Sequence, residues 1–173
     1  MTSLETRKAV MTASVGDTVR LSPNQRVIDE ALGSIIRWSL YEFHTRLVER
    51  SGVSIDRSMI SILTRLSAAG TLRISDLADR LGLDRSTLSR QVAAAVAAGY
   101  VSRTTDESDS RAYLVSMTDE GKAAYQAVRQ ARTRIMVELT RQMSSSEVDQ
   151  VSDALPILAR AIDNLSASAG SGK

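Results

Sequence analysis

Cysteine is absent from this chain of 173 residues. That excludes disulfides, thiolate nucleophiles and thiol redox chemistry together. Histidine occurs once, as His44. A zinc site needs several His or Cys ligands at short spacing, and no such set exists. Phe, Trp and Tyr amount to 3% while 43% of residues are apolar, so the core must be mostly aliphatic. No apolar run reaches about 18 residues, so no membrane span is expected. Residues 1–19 lack the apolar centre of a signal peptide, and a cytoplasmic protein is expected. No Gly-rich phosphate loop, metal-ligand cluster or nucleophile motif appears, so neither an enzyme nor a cofactor is expected. Excess charge is also lacking. The net charge is +2, too little for a non-specific nucleic-acid coat.

The informative stretch is 74–121. Ser75 is expected to cap a short helix, with Asp76 in its first turn. Leu77, Ala78 and Leu81 share a face, and Gly82 stands where a helix C-cap needs a positive φ. Asp84 is placed to cap a second helix running to about Ala98, ended by Gly99. In it Leu88, Val92, Ala95 and Val96 form the expected buried face. Ser86, Thr87 and Arg90 point the other way near its N-terminal end. A helix entering a major groove by that end needs such residues to reach base edges and phosphates. Arg85, Ser86, Thr87, Ser89 and Arg90 are therefore the candidate DNA-reading set, and Ser75 offers a phosphate contact at the preceding helix start.

Val101–Thr104 and Ala112–Met117 read as strands, joined by the polar run Thr105–Arg111. A hairpin beside a helix-turn-helix is a wing, and Arg111 is the cation that can reach a minor groove. Asp109 is placed to hold that guanidinium by a charge-assisted pair. Thr118 then caps a further helix, with Asp119 and Glu120 in its first turn. Across 73–111, six arginines are matched by six carboxylates, so binding there must depend on placement rather than bulk charge.

Long apolar helices flank this centre. Residues 24–50 carry Ile28, Leu32, Ile35, Ile36, Leu40, Phe43 and Leu47 in a broad stripe. Ile55–Ala68 is a helix with Met59, Ile62, Leu63 and Leu66 on one side, stopped by Gly70, and Thr71–Ile74 is an expected third strand. Residues 119–142 carry Ala124, Val128, Ala131, Ile135 and Leu139. Ser144 and Glu147 form a capping box opening a last helix to about Leu165. Its Val148, Val151, Leu155, Leu158, Ile162 and Leu165 alternate three and four residues apart, a heptad seam made for a partner helix. Pro156 within it removes an N–H, and a bend near 152–156 is expected. One copy of the centre cannot cover all these stripes, which points to a two-fold homodimer.

This order of elements resembles the MarR family of winged-helix transcription regulators. The resemblance is carried by Leu77-Ala78, Ser86 to Arg90, Gly99 to Arg103, the wing signature Asp109-Ser110-Arg111, and the exit Tyr113 to Gly121. It covers roughly 27–165. It departs late in the second helix, where Ala93, Ala94, Ala95, Val96, Ala97 and Ala98 stand in place of a Leu-acidic pair and basic residues. Base reading is thereby confined to the first half of that helix.

The resemblance implies a mainly α fold with a small antiparallel wing: a winged helix-turn-helix flanked by long N- and C-terminal dimerisation helices. The chain then divides into an N-terminal arm (1–22), a dimerisation region (23–50 and 122–165), a winged helix-turn-helix DNA-binding domain (51–121) and a disordered tail (166–173). It implies a dimeric, sequence-specific regulator of double-stranded DNA on a palindromic operator, most simply a repressor relieved by a small aromatic or phenolic effector. Some relatives sense peroxides through cysteine, a route closed to this chain. Trp38, Tyr41, His44 and Arg46 are the groups available to an effector, and also suit core, dimer-interface or solvated roles. The alternative is a winged-helix protein acting only through protein contacts, which the balanced charge of the centre permits.

Overall fold

The structure, a computed structural model, describes residues 20–106 and 108–170. Most of the expected N-terminal arm therefore lies outside the described residues. The chain forms two compact units, divided between Phe43 and His44.

In the first unit, α1 (Pro23–Arg37) opens with a capping box in which Ser22 and Gln25 satisfy each other's backbone N–H. Pro23 sits in the first turn, where its missing donor costs nothing. The helical path does not continue at one pitch. Trp38–Phe43 is a π segment, whose i→i+5 bonding widens the turn. It brings Trp38 and Phe43 together at 4.8 Å between ring centroids. The apolar stripe of this unit (Ile28, Ile35, Ile36, Leu40) is about half exposed in the single chain.

The second unit begins with α2 (His44–Ser51), ended at Gly52 in the left-handed region. Then come α3 (Arg57–Ala69), β1 (Leu72–Arg73), α4 (Ile74–Leu81), α5 (Arg85–Ala97), β2 (Val101–Asp106), β3 (Asp109–Met117), α6 (Asp119–Thr140) and α7 (Ser145–Gly170). Asp56 caps α3 by accepting from the N–H of Met59 at 2.8 Å. The strands form one antiparallel sheet in the order β1-β3-β2, with Leu72 opposite Val115 and Val101 opposite Met117. The core is aliphatic as expected. Ile62, Leu63 and Leu66 of α3 meet Leu77 of α4, Leu88 and Val92 of α5, and Val115 of β3, all at most 1% exposed. The inner face of α6 (Ala124, Val128, Ala131, Ile135) packs on α2 and α3, and an Arg50–Glu138 ion pair ties α2 to α6.

Several expectations for caps, helix faces and the wing are corrected. Ser75 does not cap α4. β1 runs straight into the helix, so Arg73 takes the N-cap position with no side-chain capping bond, and the Ser75 hydroxyl donates to Asp76 instead. Val96 is 40% exposed. At about 100° per residue it stands roughly 80° round from Leu88, past the edge of the stripe. Leu139 is 48% exposed. Its neighbour Glu138 already pairs with Arg50 at the end of α2, so the last turn of α6 has run past its support. Both wing strands extend beyond their expected ends, β2 as far as Asp106 and β3 from Asp109.

The capping box at Ser144 and Glu147 forms as expected. α7 continues through Pro156 and ends at Gly170 rather than near Leu165, so 166–170 are helical and not the disordered tail expected there, while 171–173 lie outside the described residues. In its last turns the Ser166 and Ser168 hydroxyls donate to the carbonyls of Ile162 and Leu165. Among the described residues, no helix is long and apolar enough to cross a membrane.

Candidate nucleic-acid interface

The turn between α4 and α5 is set by local chemistry. Gly82 adopts φ 65° and ψ 31°, and the N–H of Leu83 reaches back to the carbonyl of Ala78 at 3.0 Å. Asp84 caps α5, accepting from the Ser86 hydroxyl at 2.6 Å and the Thr87 N–H at 2.8 Å. The Ser86 hydroxyl first, then Thr87, hold this carboxyl far below the usual carboxylate range. Leu88, Val92 and Ala95 fix the inner face of α5 in the core. The outer face then offers Arg85, Ser86, Ser89 and Arg90 to solvent, with Thr87 half-buried. Arg90 reaches Thr87 across one turn, its Nη2 3.5 Å from the hydroxyl oxygen.

The wing grows from the core sheet. Val101 and Arg103 alternate onto one face of β2, and Arg103 stands opposite the buried Val115. Tyr113 is the diagonal neighbour of Arg103 across the strands, and the Arg103 Cζ lies 3.3 Å from its ring centroid. Nearer the tip the ladder slips. Thr105 faces Tyr113, the next residue Asp106 faces Asp109, and residues 110–112 fall between without partners on β2. Ser110 and Arg111 therefore sit in a bulge of β3, not in a loop. Their side chains, and so the expected Asp109–Arg111 pair, lie outside the described detail.

These elements enclose a cleft of about 480 Å³ between the start of α4, the start of α5 and the wing. It gathers four expected site residues: Ser75, Arg85, Ser89 and Asp109. Ser86, Thr87 and Arg90 are on the adjoining face of α5. The cleft also holds three residues that sequence reasoning passed over: Arg73, Arg103 and Tyr113. Three arginines thus line one cleft although the stretch as a whole is neutral. The alternation on β2 and β3 was the available signal for Arg103 and Tyr113. Nothing local signalled Arg73.

The expected effector residues divide between the units. Trp38 and Tyr41 belong to the π segment of the first, His44 and Arg46 to α2 of the second. Within the second unit His44 lines a cavity of about 540 Å³ with Thr45, Glu49, Asp56 and Met59.

A short helix, a glycine turn, a buried-backed second helix and a hairpin on a three-stranded sheet define a winged helix-turn-helix protein. The MarR family model matches residues 55–113, from the foot of α3 to the middle of β3. YxaD of Bacillus subtilis (strain 168), described as an uncharacterized HTH-type transcriptional regulator, is 32% identical over 129 residues, 75% of this chain and 88% of that protein. The chain belongs to the MarR family of transcriptional regulators, a non-enzymatic class. Solved structures share its fold. RV1404 from Mycobacterium tuberculosis superposes with a TM-score of 0.70 at 23% identity, covering 84% of this chain and 97% of that one. FabT of Streptococcus pneumoniae, solved in complex with DNA, has a TM-score of 0.69 at 19% identity, covering 81% and 98%.

Proposed function

We propose that the protein is a dimeric, sequence-specific regulator of double-stranded DNA, acting as a repressor that leaves its operator when a small effector binds. The observation that carries this reading is the two-sidedness of α5. Its inner face is fully buried, while its N-terminal outer face is polar, exposed and flanked by an arginine-lined cleft and a wing. The DNA in the FabT structure supports the same use of this fold.

Two copies of α5 about 34 Å apart enter successive major grooves of a palindromic site. Arg85, Ser86, Thr87, Ser89 and Arg90 read or position, with Ser86 partly committed to capping. Ser75 and the first N–H groups of α4 meet a phosphate. Asp109, Ser110 and Arg111 form the wing contact, with Arg111 in the minor groove. Homodimerisation is supported by the exposed apolar residues Ile28, Ile35 and Ile36 of α1 and Val151, Leu155 and Ile162 of α7. Repression comes from occupancy: a dimer covering a promoter excludes polymerase. An aromatic or phenolic effector reaching Trp38, Tyr41, His44 or Arg46 releases DNA by binding the two conformers unequally.

The test is titration of the DNA upstream of the protein's own reading frame across a range of salt, with a footprint at the midpoint. A protected palindrome with steeply salt-dependent affinity supports the reading. No binding at low salt overturns it, in favour of a winged helix used for protein contacts. Titrating aromatic acids and phenols into the bound complex then tests the effector, and unchanged affinity throughout refutes that part alone.

A further inference from the structure

Arg73 and Asp106 lie 33 positions apart and meet at the far end of β2, next to the tip of the wing. Arg73 Nε donates to Asp106 Oδ2 at 2.7 Å, and Nη2 stands 2.7 Å from the same oxygen. Nη2 also donates to the Ser108 hydroxyl oxygen at 2.9 Å. Ser108 in turn donates its N–H and its hydroxyl to Asp106 Oδ1, at 2.8 and 2.7 Å. Asp106 is buried, and it is the only buried charged residue among those described. Arg73 is itself held at both sides, opposite Leu114 in the sheet and at the N-cap position of α4.

The strap sits where the hairpin is otherwise weakest. The β2–β3 ladder slips between Thr105 and Asp106, and residues 110–112 have no partners on β2. A hairpin held by its ladder alone would pivot at such a bulge. The Arg73–Asp106–Ser108 cluster spans that break and ties the tip to the first turn of α4. Arginine suits the task because its planar guanidinium fixes the directions of its donors, here Nε and Nη2 on Asp106 and Ser108, whereas a lysine ammonium is a point charge on a flexible stem.

We propose that Arg73 is the positioning residue of the wing: closed on Asp106 and Ser108, it sets where residues 108–112 are presented to DNA, and it does not itself bind a phosphate. This rests on the DNA-binding reading above. It turns one of the cleft's three arginines from a DNA contact into a brace. It also predicts that losing either partner moves the wing, since a buried carboxylate stripped of its cation must find water.

The test compares the parent with Arg73→Gln, Asp106→Asn, the double variant and Arg73→Lys on the footprinted DNA. Circular dichroism checks that each is folded. Each single change is expected to weaken binding by about tenfold, with the double no weaker than either single, as expected for one coupled unit. The dependence on salt should match the parent, amide exchange at Ser108 should accelerate, and Arg73→Lys should recover part of the affinity. If Arg73→Gln lowers the salt slope by about 0.9 while Asp106→Asn is neutral, Arg73 is a phosphate contact and the proposal fails. Parent-like affinity in both single variants also overturns it. A parent that binds no DNA defeats the DNA-binding reading itself, a result distinct from either of these.

Discussion

A β-carbon on Gly121 would stand 1.9 Å from the carbonyl oxygen of Tyr100. That carbonyl also accepts the N–H of Thr118 at 3.1 Å. The Thr118 hydroxyl donates to the carbonyl of Gly99 at 2.6 Å and accepts the N–H of Gly121 at 2.9 Å. The end of α5 and the start of α6 are thus clamped together at the root of the wing, and Gly121 is there because the backbones touch. Gly121→Ala is expected to destabilise the fold by about 1–3 kcal/mol, the usual cost of overpacking where neighbours cannot yield. Urea unfolding measures it, and an unchanged midpoint would show that the backbones can part.

Asp84 governs the start of α5. Its carboxyl is held far below the ordinary range by the Ser86 hydroxyl and Thr87. Glu147 is lowered in the same way by Ser144 at the start of α7. A carboxylate lowered in the folded state stabilises above its unfolded value of about 4, and that stabilisation is lost as pH falls through the lower folded value. The melting temperature should therefore be flat from neutral pH down to about 5 and fall in acid. Asp84→Ala should lower the neutral-pH melting temperature and flatten part of the acid limb, while Asp84→Asn, still a good cap, should hold most of it. A parent whose melting temperature rises in acid contradicts this.

Arg90→Ala should relax base preference at one position of each half-site, at about 1–3 kcal/mol against the preferred base. The measurement is competition between the operator and single-base variants. Equal loss on every sequence would make Arg90 a phosphate contact instead.

Arg111→Ala should weaken binding at about 150 mM salt and reduce any A·T preference flanking the half-sites. Affinity equal to the parent's would remove the bulged segment of β3 from the interface.

Leu155→Glu combined with Ile162→Glu places charge on the exposed seam of α7. Sedimentation should change from a dimer to a species of 18.7 kDa, and operator affinity should fall with it. A parent that already sediments at that mass would show that the seam has another purpose.

Much of this protein is written in residues that act on their near neighbours. Gly52, Gly70, Gly82 and Gly99 all adopt the positive φ that ends the preceding helix, while Asp84, Thr118 and the Ser144–Glu147 box cap α5, α6 and α7. The helical period found the buried faces of α3, α5 and α6, except where it was extended too far, at Val96 and Leu139. Those signals are local, since a cap or a turn bonds within about four residues and a stripe repeats within two turns. Tertiary structure decided what no local signal carries. It joined Arg73 to Asp106, put Arg103 over Tyr113, and brought both arginines into one cleft with Arg85. It also shifted the wing's register so that 110–112 bulge from β3. Each of these depends on chain segments far apart in sequence meeting in space. Only the packing of the sheet against the helices sets that meeting, which is why the sequence alone shows a wing and the folded chain shows how it is held.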